Sequence, residues 1–470
     1  MDVVIRGGTV VTATRTFVAD VAVRDGLVAA IEPAGAWPAA ETIDARGTYV
    51  FPGFIDAHVH FSLPIGDLVS TDDFRTGTVA AACGGTTTVI DFVHPERGQS
   101  LAKAAALRRA EADGRAVIDY GLHVAITDAS PARLAEIPAL IRAGYTSFKL
   151  YTAYDAVMLD DAGLLAALFA LAEHRGFPLI HCENHGIATT LARRLLAAGH
   201  TDPTAHPLAR PPTIEAEATH RVVLLARLAR CPVCIAHLTC WDSLAVVKAA
   251  QGVGQPVYAE TCPQYLFLSD RDYARPAFEG AKYVLSPPLR DSANHNVLWQ
   301  ALADGAVQMV STDHCPWDFA GQKDQGRHDF SRIPGGAPGI ETRIPLLFSE
   351  GVGAGRLTLN QFVAACATNP ARLFGLYPRK GTIAVGSDAD LVILDPTWER
   401  TLSRSMLHQR VDYTPYEGWT VRGYPRTVLS RGRVVVRDGE FVHGTLRVGE
   451  AGGGRFVARG LSAAFAAPTG

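Results

Sequence analysis

The feature that most restricts this chain is a strand–helix alternation repeated eight times. Short apolar segments recur at 51–60, 86–92, 119–127, 147–151, 178–184, 233–239, 257–263 and 307–314. Most are separated by Ala/Leu-rich stretches of helical character, such as SLAKAAALRRAEADGR and LLAALFALAEHRG. Eight such units in succession predict an α/β fold, a (β/α)8 barrel of the TIM type. The strands are apolar along their whole length, as parallel strands buried on both faces must be.

Both ends of the chain read differently. Residues 1–50 are rich in short strands broken by Gly and Asp, and the texture returns in GTIAVGSDADLVILD and TVLSRGRVVVRDGEFV. This predicts one small β-sandwich built from both termini, 1–50 and 376–443, around a catalytic barrel at 51–375. The Gly/Ala-rich tail, 444–470, is weakly patterned and reads as a mobile segment or an arm reaching another subunit.

Composition narrows the function class. The 470 residues carry a net charge of −3, which favours neither nucleic acid nor an acidic membrane as partner. The first residues lack the apolar core of a secretory signal. The longest helical apolar run, GLLAALFALA, is half of the roughly 20 residues that span a bilayer. The expectation is a soluble, cytoplasmic protein whose 8 cysteines are reduced thiols. The CPVC at Cys231 and Cys234 is a weak metal or redox signal without a second pair.

In a barrel of this kind, chemistry sits at the C-terminal strand ends. Five of these segments carry polar residues suited to metal or proton handling. The first ends in DAHVH, with His58 and His60 two apart and so on one side of a strand. The fourth carries Lys149 in SFKLYTAY, the fifth His181 in IHCEN, the sixth His237 in AHLT, and the eighth Asp313 in STDHCP. One histidine at a strand end is ordinarily just a hydrogen-bonded residue. Four histidines and an aspartate converging on one rim suit a zinc-type site. His174, His200, His220 and His408 fall in helical or loop contexts and read as surface or core residues. His314 reads as a supporting neighbour of Asp313.

The stretches PGFIDAHVH, GGTTTVIDF, SFKLYTAY, HCEN, HLT, SPPLR, STDHCP, IPGGAPGIETR and YTPYEG together resemble the cyclic amidohydrolases of the dihydropyrimidinase/hydantoinase group. The resemblance runs from VVIRGGTVV to about Val442. It implies a binuclear metal centre, usually zinc, with His58, His60 and Asp313 on one ion and His181 and His237 on the other. Lys149 would be carboxylated by CO2 and bridge both. It also implies Asp313 as the proton carrier and Tyr154 as the hydrogen-bond donor to the developing oxyanion. Substrate contacts would fall near Ser286, Gly335 and Tyr151. The activity implied is hydrolysis of a dihydropyrimidine or 5-substituted hydantoin to the N-carbamoyl amino acid, by a homodimer or homotetramer.

Three positions depart from the group's common pattern. Gly335 stands where many members have Asn, Tyr151 where many have Phe, and Thr152 where Met is frequent. These changes imply a more polar or reshaped pocket around the ring substituent. Allantoinase, or another cyclic ureide amidase, is therefore an alternative. Dihydroorotase fits less well, for lack of an arginine placed to bind a substrate carboxylate. A non-catalytic adaptor fits least, because all six ligand positions are filled. The loops 61–74, 93–100 and 151–159 follow ligand-bearing strands and are the expected specificity elements.

Overall fold

The computed structural model describes residues 1–442 and 453–466. Eight parallel strands form its centre: β1 (Phe54–Val59), β2 (Thr86–Val93), β3 (Asp119–Ala125), β4 (Ser147–Tyr151), β5 (Phe177–His181), β6 (Val233–Ile235), β7 (Val257–Thr261) and β8 (Met309–Val310). They hydrogen-bond in sequence order from β1 to β8. Beyond the end of β8, His314 closes the ring by a parallel bridge to Val59, with the His60 amide donating to the His314 carbonyl at 2.8 Å. Helices lie between successive strands. Several start on side-chain caps: Asp73 forms a capping box with Thr76, and Asn184 accepts from the Ile187 amide.

Several strands are shorter than their sequence segments. β5 stops at His181 because the next residues turn into a helix capped by Asn184. β8 is two residues long because Thr312 leaves the sheet to bind Asp56, by its amide (3.1 Å) and its hydroxyl (2.6 Å). The first segment is split. Tyr49–Pro52 pairs antiparallel with 391–394 in the terminal sheet, and the barrel begins only at Phe54. Gly53 makes the switch, and a Cβ there would collide with Thr87. The chain thus passes from the terminal sheet into the barrel at Gly53.

The terminal strands hydrogen-bond as one continuous nine-stranded sheet. The N-terminal part (Val3–Val11, Thr16–Arg24, Leu27–Glu32, Glu41–Asp44, Tyr49–Pro52) meets the C-terminal part through Leu391–Thr401. Its apolar face forms a core of its own around Val21, Val50, Leu391 and Leu429. Of the tail, 444–452 and 467–470 fall outside the described residues. The rest lies under this chain's own barrel rather than reaching away. The Val457 amide donates to the Tyr120 carbonyl at 2.8 Å, and buried Arg459 reaches Ser147 Oγ at 2.6 Å and the Leu122 carbonyl at 2.5 Å. Among the described residues no helix is long and apolar enough to cross a membrane.

Candidate active site

The residues singled out in the sequence meet at the C-terminal mouth of the barrel. His58, near the end of β1, and His60, just past it, both aim Nε2 at Asp313 Oδ1, at 3.2 and 3.1 Å. Opposite them, His181 Nδ1 lies 2.9 Å from His237 Nε2. The two groups adjoin, with the His58 and His237 rings 5.4 Å apart. Asp313 and His237 both sit just past strand ends with positive φ, 53° and 35°. Such backbone is costly for a residue with a Cβ and gathers at functional sites.

Carboxylates behind the histidines set their protons. His58 Nδ1 bonds Glu260 Oε1, and Ser311 Oγ donates to the other Glu260 oxygen at 2.9 Å. His181 Nε2 bonds Glu183 Oε2 at 2.9 Å, and Arg210 donates to the same oxygen at 2.6 Å. Burial raises the Glu183 pKa, but the Arg210 guanidinium and His181 outweigh it and bring it down to about 2. Glu183 is therefore ionised and holds the His181 proton on Nε2. Burial, followed by the charge of Lys149, takes His58 well below the usual histidine range. Burial pushes Asp313 up, and His58 and His60 more than reverse this, leaving a carboxylate.

These protonation states bear on metal binding. With Nε2 of His181 protonated, Nδ1 presents a lone pair to His237 Nε2. With Nδ1 of His58 donating to Glu260, Nε2 presents a lone pair to Asp313. Each of these lone pairs can accept a proton from the facing group or bind a cation held between them. Imidazole and carboxylate donors in this arrangement suit zinc-type ions, and the paired carboxylates are the outer partners that orient metal-ligating histidines. His58, His60 and Asp313 offer donor atoms within 4.8 Å of one another.

Lys149 lies close enough to both groups for its charge to act on His58, Asp313, His181 and His237. It is 1 % exposed, and its Nζ has no hydrogen-bond partner among the described residues. It faces the rings of Phe92 (5.1 Å) and Tyr151 (5.3 Å). Burial lowers its pKa, with Glu260 and Asp313 opposing. An orphaned amine that readily sheds its proton fits chemistry that converts it into something else.

Tyr154 follows on the loop after β4, at φ 74°, with its ring 5.1 Å from that of His181 and the Arg210 guanidinium 5.5 Å above it. Burial raises its pKa to about 12, so the hydroxyl keeps its proton at neutral pH. Ser286 lies beside it, and a Cβ on Gly335 would stand 3.6 Å from Ser286 Oγ. Tyr151 shares a 2.8 Å hydrogen bond with His94 Nε2. Thr152 is engaged by the backbone. Its hydroxyl donates to the carbonyls of His181 (2.9 Å) and Glu183 (2.8 Å) and so braces the turn after β5.

The other sequence candidates lie elsewhere. The His314 ring turns away from the cluster to Asp72, at 3.1 Å. Cys231 and Cys234 are free and buried and join none of the potential metal-binding groups found among the described residues. His408 is not an isolated loop residue: it pairs with Glu341 at 2.8 Å, beside Cys83. A buried trio, Asp119, Asp388 and Asp390, holds Lys380 Nζ at its centre.

Comparison with known proteins agrees with this geometry. The profile of the amidohydrolase family matches residues 49–435. The chain belongs to that family. This amidohydrolase is 48 % identical to a D-hydantoinase from Geobacillus stearothermophilus over 98 % of its own length and 97 % of the relative's. Its fold matches the crystal structure of a dihydropyrimidinase from Brevibacillus agri with a TM-score of 0.96 and 46 % identity, covering 98 % and 99 % of the two chains. An L-hydantoinase from Arthrobacter aurescens matches at TM-score 0.88 and 32 % identity, over 97 % and 100 %.

Sequence reading of this amidohydrolase left Glu260, Glu183, Arg210 and His94 without roles. A signal for Glu260 existed: it is a lone carboxylate in the buried strand VYAET. Glu183 lay within HCEN, quoted only for its histidine. Arg210 and His94 stand in loops, where sequence spacing does not reveal which side chain turns inward.

Proposed function

We propose that this amidohydrolase hydrolyses the cyclic amide of a 5-substituted hydantoin or dihydropyrimidine, releasing the N-carbamoyl amino acid. The observation that carries this reading is the pair of opposed donor groups near the orphaned Lys149. The likeness to hydantoinases supports it. On this reading His58, His60 and Asp313 hold one divalent cation, and His181 and His237 the other. The neutral Lys149 amine would add CO2 with loss of a proton, and the resulting carbamate would supply the anionic ligand shared by the two donor groups. Two such ions, zinc by donor type, supply when bound a water acidified from a pKa of about 16 toward 7 and polarise the ring carbonyl.

The chain's own groups do the rest. Asp313 takes a proton from the attacking water and delivers it to the leaving ring nitrogen. The Tyr154 hydroxyl donates to the oxygen as it gains charge. Main-chain groups at Ser286 and Gly335 hold the ring, and Tyr151 meets its substituent. The same reading carries a cytoplasmic homodimer or homotetramer.

The test is a substrate panel of dihydrouracil, hydantoin, 5-substituted hydantoins of each hand, and allantoin. Ring opening of the hydantoins, abolished by a chelator and restored by zinc, is expected. A metal-loaded protein inert to every hydantoin and to dihydrouracil would refute the proposal. Allantoin is included because Gly335 leaves space: a Cβ there would make only ordinary contact, so the backbone does not demand glycine. For Tyr154→Phe, kcat should fall by about 10²-fold or more, the usual cost of losing one oxyanion donor, with KM little changed. A variant with wild-type kcat would remove Tyr154 from the mechanism.

A further inference from the structure

We infer that Lys323, from the loop after β8, is a positioning residue that clamps together the two backbone segments carrying Ser286 and Gly335. The inference rests on the proposed role of those two residues in holding the ring.

Lys323 is fully buried, yet among the described residues no carboxylate pairs with it. That is rare for lysine, whose charge is expensive to desolvate. Nζ instead donates to two carbonyls, Val284 at 2.8 Å and Pro334 at 3.0 Å. The first lies two residues before Ser286, and the second immediately before Gly335. Burial brings the Lys323 pKa down to about 7. Either protonation state suffices, since a neutral amine has two N–H groups and meets two carbonyls.

Neighbouring bonds show that the contact belongs to a built arrangement. The Gly336 amide also donates to the Val284 carbonyl, at 3.0 Å. His206 Nε2 bonds the Leu285 carbonyl at 2.8 Å, and the Tyr265 hydroxyl donates to Pro287 at 2.7 Å. Trp317 Nε1 donates to the Gly335 carbonyl at 3.0 Å. Gly336, at φ 138°, is required there because a Cβ would strike the Cys315 carbonyl. Side chains from outside the two segments thus take up the carbonyls of 284, 285, 287, 334 and 335. Lys323 is the residue that touches both segments at once.

Main-chain contacts to the ring bind substrate and transition state alike, so their displacement should raise KM and leave kcat nearly unchanged. For Lys323→Met, which keeps the volume and removes the donors, KM for hydantoin should rise about 10–100-fold, the scale of a misplaced binding group. Metal content and kcat should stay close to wild type. Lys323→Gln keeps an N–H donor and should recover part of the loss. A KM within about twofold of wild type for Lys323→Met, even with lowered thermal stability, overturns the inference. If Lys323→Met does not fold, Trp317→Phe reads the same segment: a raised KM supports the clamp and an unchanged one refutes it. Hydrogen exchange at the Gly336 amide needs no substrate. It should accelerate in Lys323→Met, and unchanged exchange refutes the clamp even if the wild type proves inert to hydantoins, an outcome that would count separately against the proposed reaction.

Discussion

Lys149→Ala should lose its bound metal and most of its activity, with hydantoin hydrolysis falling below about 10⁻³ of wild type. The size follows from what the proposed metal centre would supply, a water acidified by some nine pKa units, a gain that would disappear with the ions. The site without Lys149 keeps four histidines and Asp313, but nothing would bridge the two groups. Two cations held close together without an anion between them repel strongly in a buried site. The substitution itself is mild for the fold. Among the described residues Lys149 Nζ has no hydrogen bond to lose, and removing a buried amine without a partner relieves a desolvation cost. The variant should therefore fold and lack function. Acetate or propionate added in solution should restore part of both metal content and rate by occupying the place of the carbamate. Metal analysis and hydantoin turnover, each with and without added acid, check this. Wild-type activity in Lys149→Ala would remove the bridging role altogether.

The different legibility of the fold and of its supporting residues has physical causes. The barrel strands announce themselves because parallel strands buried on both faces must be apolar throughout, and a long apolar period is hard to mistake. Strand ends are another matter. At the mouth, the chain leaves the ladder to satisfy side-chain acceptors, as Thr312 does with Asp56 and Thr152 with the turn after β5. Such bonds join residues distant in sequence and carry no periodic signal. His58, His60, Lys149, His181, His237 and Asp313 stand out in the sequence because each is a polar residue interrupting or ending an apolar run. Glu260 interrupts one too, but it binds through His58, and only coordinates reveal which histidine lies beside a strand some 200 residues away. Thr152 illustrates the converse. From sequence it suggests a more polar pocket, yet its hydroxyl lies within reach of the His181 and Glu183 carbonyls and is taken up by the backbone, while Tyr151 bonds His94.

Asp313→Asn separates proton transfer from metal binding. Asparagine has nearly the same shape, and its amide oxygen can occupy the position that Oδ1 holds between His58 and His60. It cannot accept a proton at neutral pH, so the attacking water loses its base and the ring nitrogen its acid. General acid–base catalysis of this kind is worth about 10²–10⁴-fold, and one group serving both steps places the loss in kcat near the upper end, about 10³–10⁴-fold. KM should change little, because on the proposed reading the ring is held elsewhere, at Ser286 and Gly335. Metal content should stay well above that of Lys149→Ala, since four imidazoles and the bridging position remain. The contrast is the discriminating measurement: Lys149→Ala loses ions and rate together, whereas Asp313→Asn keeps ions and loses rate. An Asp313→Asn enzyme that loses its metal as completely as Lys149→Ala would make Asp313 chiefly a ligand. One that keeps wild-type kcat would place the proton carrier elsewhere, and Glu260, whose carboxyl burial lifts to about 7 against the pull of Lys149, is the next carboxylate in reach of His58.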